Sequence, residues 1–168
     1  MKLPLVVHLC LSVAIGVIIL CVVKFCWIPK IGYVRVGVIM EKYQGMVEAT
    51  QQYETDIKIA QANMDTVRSR YVAFRQNHPS EAQIRQADQE MNAYQQKFGD
   101  DLNKRRAELS KPVIDKINAY ISDYGKSHNY KVILGATAEG NLLYAQESED
   151  LTQTILDDLN AIYLKNKK

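Results

Sequence analysis

The chain has 168 residues, which is enough for one domain and hardly enough for two. Its 21 lysine and arginine residues nearly balance its 19 acidic residues, so charge gives no attraction toward nucleic acid, which requires a clearly basic face. The three cysteines, Cys10, Cys21 and Cys26, all lie in the apolar N-terminal segment, which leaves the polar remainder without a disulfide framework or a cysteine metal site.

The N-terminal segment is apolar enough to cross a membrane. Residues 3–23 carry no charge and measure about 30 Å as a helix. The aromatic and basic residues at 24–33 are typical of the membrane–water interface. We predict an uncleaved transmembrane helix within residues 1–30. A cleaved signal peptide is an alternative, although the small-residue site at 14–16 is followed by further apolar residues. Lipidation is a third.

A strand and a long helix are predicted next. The alternation of Val34, Val36 and Val38 predicts a strand at 33–39. A first helix is predicted from about 41 to 76, with apolar residues at alternating gaps of three and four. Its seam is Tyr43, Met46, Thr50, Tyr53, Ile57, Ala60, Met64, Val67, Tyr71 and Phe74. So narrow a stripe indicates a long arm packed against one or two other helices.

A second arm helix is predicted after a break at residues 77–80. Proline disfavours helix there, and Ser80 with Gln83 matches a capping box. The second seam contains Ile84, Ala87, Met91, Tyr94 and Phe98. A stutter near Gly99 and a kink at Pro112 are expected. The two helices should form an antiparallel hairpin about 50 Å or more in length.

The remaining elements are short. Residues 131–134 and 141–145 predict two further strands, and Asp150 is expected to cap a last helix. The buried stripe of this helix is predicted to be Leu151, Ile155, Leu159 and Ile162. A three-stranded sheet with one short helix contains too little apolar material to close its own core, so several copies should associate through the sheets.

The predicted fold class is therefore α+β. One domain at 31–168 combines a small strand-rich body, at about 31–40 and 126–168, with a helical-hairpin arm at about 41–125. One transmembrane helix precedes this domain.

Three short segments follow the predicted hairpin: YKVIL at 130–134, LLYA at 142–145 and DLT at 150–152. With these segments, the order of elements resembles the Skp/OmpH family of periplasmic chaperones over roughly residues 33–164. YKVIL is similar to the family's Y-D-L-V-L strand, LLYA to its V-L-Y-A strand, and DLT to the D-I-T start of its final helix. A coiled coil flanked by these matches in this order is a fairly specific pattern.

The resemblance implies a homotrimer that holds unfolded outer-membrane proteins between its arms, without ATP or a cofactor. The expected trimer body comprises Val34, Val36, Val38, Val132, Leu134, Leu142, Tyr144, Ile155 and Leu159. The expected client surface is the arm seam: Tyr43, Met46, Tyr53, Ile57, Met64, Val67, Tyr71, Phe74, Ile84, Met91, Tyr94 and Phe98. With the anchor retained, we expect a periplasmic protein tethered to the inner membrane through residues 3–23.

Three features depart from this pattern: the N-terminal segment is predicted to be retained, the arm lacks a basic excess, and Gly135 stands where the family commonly has aspartate. The arm is neutral, whereas family arms are typically basic: residues 41–112 contain 11 basic and 11 acidic side chains. The basic excess after residues 3–23 weakly opposes export of the body, which the resemblance implies. Lys104, Arg105 and Arg106 form one basic cluster, interpreted either as an anionic contact or as a solvated helix face.

No enzyme is predicted, because the sequence assembles no acid, base and nucleophile, and its scattered histidines predict no metal site. The alternative function is a membrane-anchored coiled-coil scaffold or adaptor that binds one folded envelope partner. Arms with exposed apolar side chains favour the chaperone, and arms closed along their whole length favour the scaffold.

Overall fold

The structure is a computed structural model that describes residues 13–17 and 29–167. Residues 13–17 are helical. The rest of the anchor predicted at 3–23 lies outside the described residues. Within the described ranges, no helix combines the length and the apolar character that crossing a bilayer requires.

The described elements alternate short body segments with two very long helices. In chain order they are strand β1 at Lys30–Arg35, helix α1 at Val36–Lys42, helix α2 at Gln44–Gln76, helix α3 at Glu81–Ser127, strand β2 at Tyr130–Ala136, a 3-10 turn at Glu147–Glu149 and helix α4 at Thr152–Asn166.

The sheet has two parallel strands, β1 and β2, so the prediction of three strands is wrong for the described chain. Residues 141–145 form no regular strand. Instead the Asn141 Oδ1 accepts the Thr137 N–H at 2.8 Å and holds a turn directly after β2. This segment pairs with neither β1 nor β2, and Leu143 and Tyr144 are 93% and 81% exposed.

Strand β1 lies closer to the N-terminus than the strand predicted at 33–39, because it begins at Lys30. It ends at Arg35, and Val36 and Val38 lie in helix α1. Ile39 and Tyr43 are four positions apart, so helical geometry directs both into the core, where they are 1% and 4% exposed. Burial of this helical face outweighs the strand preference of the two valines.

The arm is an antiparallel hairpin of α2 and α3, as predicted. The break at 77–80 contains the predicted capping box: the Ser80 N–H donates to Gln83 Oε1 at 2.9 Å, and the Ser80 Oγ accepts the Gln83 N–H at 3.5 Å. Helix α3 continues through Pro112 to Ser127. This single hairpin accounts for most of the described length of the chain.

The core lies where the arm meets the body. Nine buried apolar side chains form it: Val34, Ile39, Tyr43, Met46, Ile117, Leu151, Ile155, Leu156 and Leu159. In the buried stripe predicted for α4, the burial of Ile162 is wrong: its side chain is 45% exposed, and Leu156 is buried instead. The core therefore fixes the root of the arm and leaves the rest of the arm outside it.

Candidate client-binding surface

The apolar seam of the arm remains partly open to solvent. No residue from 47 to 116 is buried. The predicted seam positions are nevertheless half-buried: Tyr53, Ile57, Met64, Val67, Tyr71, Phe74, Ile84, Met91, Tyr94 and Phe98. Two helices lying side by side each cover one flank of the other's stripe, so the opposite flank stays accessible.

Two members of the predicted client surface lie elsewhere. Tyr43 and Met46 are 4% and 6% exposed and belong to the core at the arm root. Sequence periodicity grouped them with the arm seam, but it does not show where the body closes over the chain. The accessible surface therefore begins beyond the root.

Open grooves follow the flanks of the hairpin. One of about 520 Å³ is lined by Ile59, Tyr94 and Phe98, among others. A second of about 520 Å³ near the tip includes Phe74 and Met91. A third, of about 590 Å³, lies closer to the root. Aromatic and methionine side chains in open grooves adapt to apolar partners of varied shape.

Ile59 is a groove residue that the heptad pattern does not include. Its side chain is 59% exposed on α2, next to the half-buried Ala60. A three-four ladder selects residues that face the partner helix, so an apolar side chain on the outer flank falls outside it. The sequence feature that could have indicated this groove residue is an isoleucine placed between the seam positions Ile57 and Ala60.

Polar contacts across the hairpin hold the two helices in register. The Arg105 Nε donates to Asp56 Oδ2 at 2.7 Å, and this guanidinium lowers the pKa of the Asp56 carboxyl. Nearer the tip, the Tyr71 hydroxyl donates to Asp88, which also pairs with Arg75 Nη1 at 3.4 Å. These contacts place polar atoms beside the apolar seam at two positions along the arm.

The basic cluster does not present three free cations. Arg105 faces Asp56 across the seam, and Lys104 Nζ lies 4.0 Å from Glu108 Oε1. Arg106 is exposed, lines the root groove and forms no ion pair with a described residue. A role of this cluster in binding anions stays a prediction, and it depends on Arg106.

The expected trimer-body residues divide into three groups by burial. Val34, Ile155 and Leu159 are buried in the core of the single chain. Val38 and Leu142 are half-buried. The exposed ones are Val36, Val132, Leu134 and Tyr144.

One face of the sheet gathers exposed apolar side chains. Ile31 pairs with Val132, and Tyr33 pairs with Leu134, so all four occupy one face. Ile31, Val132 and Leu134 are between 42% and 45% exposed. Leu142 and Tyr144, from the segment after β2, line a groove together with Ile31 and Leu134, so a single chain leaves an apolar surface uncovered here.

Helix α4 braces both arm helices at the root. Tyr43 lies between α1 and α2 in an extended conformation and provides no side-chain cap for α2. The Gln44 N–H instead donates to Asn160 Oδ1 at 2.8 Å, and Asn160 Nδ2 donates to the Lys42 carbonyl at 3.5 Å. One α4 side chain thus contacts both sides of the break.

Three further side chains extend this brace. The Tyr163 hydroxyl donates to Glu48 Oε2 at 2.6 Å, and Lys167 also pairs with Glu48. This contact raises the pKa of Tyr163 to about 12 and lowers that of Glu48. The Tyr120 hydroxyl of α3 donates to Asp158 Oδ2 at 2.6 Å. No local sequence pattern indicates these contacts, because Tyr163 and Lys167 lie more than a hundred positions from Glu48.

The fold and this surface define a class of protein: a small α+β body that carries one long helical hairpin with an accessible apolar seam. The family described as "Outer membrane protein (OmpH-like)" matches residues 30–159, so the chain belongs to that family. This confirms the predicted family resemblance, while the N-terminal anchor stays a prediction.

No curated protein matches the chain. Among solved structures, a candidate OmpH-like outer membrane chaperone from Caulobacter crescentus is similar, with 12% sequence identity and a TM-score of 0.40. The match covers 80% of this chain and 85% of that one.

Proposed function

We propose that this protein is an ATP-independent holdase chaperone that binds unfolded outer-membrane proteins in the periplasm, between the arms of a homotrimer. The half-exposed apolar seam between residues 47 and 116 is the observation that carries the proposal. Membership of the OmpH-like family supports a chaperone role and a periplasmic location.

The grooves suit a client that lacks fixed structure. Their lining, including Phe74, Met91 and Phe98, offers many small apolar contacts rather than one deep cavity. Each contact is weak, and ordering a flexible client costs conformational entropy, so the total affinity stays moderate. Release then requires no nucleotide hydrolysis.

The seam also favours the chaperone over a scaffold for a folded partner. A scaffold arm needs a closed, well-packed seam that fixes one geometry. Here the side chains along most of the arm stay half-exposed, and grooves remain open on the flanks. Such a surface fits partners that differ in shape.

A trimer is proposed because the body of a single chain leaves apolar surface uncovered. Val132 and Leu134 are exposed on the sheet, and Leu143 and Tyr144 extend from the loop beside it. Association of copies through this surface would bury it. We place the trimer at the inner membrane, tethered through residues 3–23.

The proposal is tested by aggregation of a urea-denatured outer-membrane β-barrel protein, diluted into buffer with the full chain and without ATP. Light scattering should fall as the chaperone concentration rises. Ile59→Gln should weaken this protection, because Ile59 lines a groove and is 59% exposed. Scattering that is unchanged by an excess of the native chain would rule the proposal out.

Val72→Gln is the matched control. Val72 also lies on α2 and is 48% exposed, but it lies outside the described grooves. Both substitutions should leave the unfolding transition unchanged, since neither side chain is buried. Equal loss of protection in the two variants would show that the grooves are not the binding surface.

A further inference from the structure

We propose that one end of the body docks onto the anionic headgroups of the membrane that anchors the chain. This end, here called the basal pole, consists of Lys30, Lys126, His128, Tyr130 and Lys131. The inference depends on the proposed anchor at 3–23, and its test separates the two.

The basal pole forms because three elements meet there. Strands β1 and β2 are parallel, so their N-terminal ends lie side by side at one end of the sheet, where Lys30 pairs with Tyr130. Helix α3 ends at Ser127, three residues before β2. The other end of this 47-residue helix lies at the arm tip, about 70 Å away. The basal pole and the tip are therefore at opposite ends of α3.

The basal pole combines aromatic rings with basic side chains. The Lys30 Nζ lies 4.0 Å from the centre of the Tyr130 ring and 3.4 Å from the His128 carbonyl oxygen, to which it donates. The Tyr124 ring stacks on His128 at 4.0 Å and on Tyr130 at 6.1 Å. Rings with polar ends beside lysines match the chemistry of the membrane–water interface.

The charge of the basal pole is available to a partner. Lys30 and Lys131 are exposed, and neither forms an ion pair with a described residue. Lys126 pairs with Asp123 at 3.4 Å, but both side chains are at least 75% exposed, so water and ions readily replace this contact. A negatively charged membrane surface attracts such juxtamembrane lysines.

The tether is short enough to bring this surface to a bilayer. Six residues separate Val23 from Lys30, and six extended residues span about 20 Å at most. An apolar segment that crosses the membrane therefore holds the basal pole within reach of the headgroups. Docking there directs the arm away from the bilayer and keeps the grooves clear of lipid.

Hydrogen exchange on the full chain, reconstituted in vesicles, tests the inference. The vesicles contain either phosphatidylcholine alone or a mixture with phosphatidylglycerol. Amides at 126–131 should exchange several-fold more slowly with the anionic lipid, because the lysines dock on it. The amides of Asn77, His78 and Ser80, at the arm tip, should exchange equally in both.

Charge-neutral variants provide the control. Replacing Lys30, Lys126 and Lys131 with Gln should abolish the lipid dependence at 126–131. Replacing Lys104, Lys111 and Lys116 with Gln removes the same amount of charge from a part of α3 outside the basal pole. This variant should keep the lipid dependence at 126–131. Retention of the lipid dependence in the first variant would overturn the inference.

Two other outcomes are diagnostic. Protection of 3–23 together with equal exchange at 126–131 in both lipids would refute docking and leave the anchor intact. Exchange at 126–131 that is equally slow in detergent without phosphatidylglycerol would show that the anionic lipid does not cause the protection, which also refutes docking. Suppression of client aggregation is measured separately on the same variants, so failure of docking cannot be confused with failure of the chaperone function.

Discussion

The Gln44 backbone N–H donates to the side chain of Asn160 at 2.8 Å, so the first arm helix takes its N-terminal cap from the last helix of the body. A helix normally takes this cap from the residue directly before it. Here that residue is Tyr43, whose side chain enters the core and stacks edge to face on Tyr163, with ring centres 5.8 Å apart. The start of the arm and the body are therefore stabilised together.

Asn160→Ala should destabilise the protein by about 1 kcal/mol, the usual cost of losing an N-cap. Asn160→Asp should recover part of this loss, because a carboxylate still accepts the Gln44 N–H and its charge suits a helix N-terminus. Urea unfolding and exchange of the Gln44 amide measure the effect. Equal destabilisation by both substitutions would contradict the capping role.

Tyr120→Phe should also destabilise the protein by about 1 kcal/mol, since the ring stays packed while the hydrogen bond to Asp158 is lost. Burial and this bond both raise the pKa of the Tyr120 hydroxyl. Tyr53→Phe is the control, because the Tyr53 hydroxyl has no hydrogen-bond partner among the described residues. A similar loss of stability in both variants, measured by urea unfolding, would exclude the brace as its cause.

Stability should fall in acid partly through Glu48. Lys167 and Tyr163 hold the pKa of this carboxyl below its ordinary value of 4.5 in the folded chain. Its contribution is therefore complete above about pH 4.5 and is lost as the pH falls through the lower folded pKa. Thermal unfolding of Glu48→Gln should differ from that of the native chain near neutral pH and converge with it in acid. A difference that does not change with pH would exclude this linkage.

Leu143→Asp should dissociate the proposed trimer without unfolding the chain. This side chain is 93% exposed, so a charge there has little effect on the stability of a single chain. Burying the same charge in an apolar interface would be strongly unfavourable in free energy. Light scattering coupled to size exclusion should report one chain instead of three, with unchanged circular dichroism. Ile162→Asp, on α4, is the control and should stay trimeric. A trimeric Leu143→Asp would place the interface elsewhere.

Local patterns in the sequence predicted the arm well. The three-four ladder identifies half-buried positions from Tyr53 to Phe98, and the Ser80 capping box marks the start of α3. These features depend on neighbours within four residues, which a single sequence displays directly.

The errors occur where distant contacts decide the structure. Val36 and Val38 favour a strand locally, yet they lie in a helix because Ile39 and Tyr43 pack in the core. Residues 141–145 have the composition of a strand, yet they pair with neither β1 nor β2 in the described chain. The Asn160 cap joins residues 116 positions apart, and no local pattern indicates such a contact.

The pairing of β1 with β2 has a consequence for how the chain folds. Lys30 and its partner Tyr130 are separated by the entire arm, so β1 is synthesised a hundred residues before the strand it needs. Closing a loop of that length is entropically costly, but the hairpin can form first, starting from contacts between residues that are close in sequence near its tip. Once formed, the hairpin brings both strands close together. The arm is then the connector that allows the sheet to nucleate as well as the surface exposed in the finished molecule.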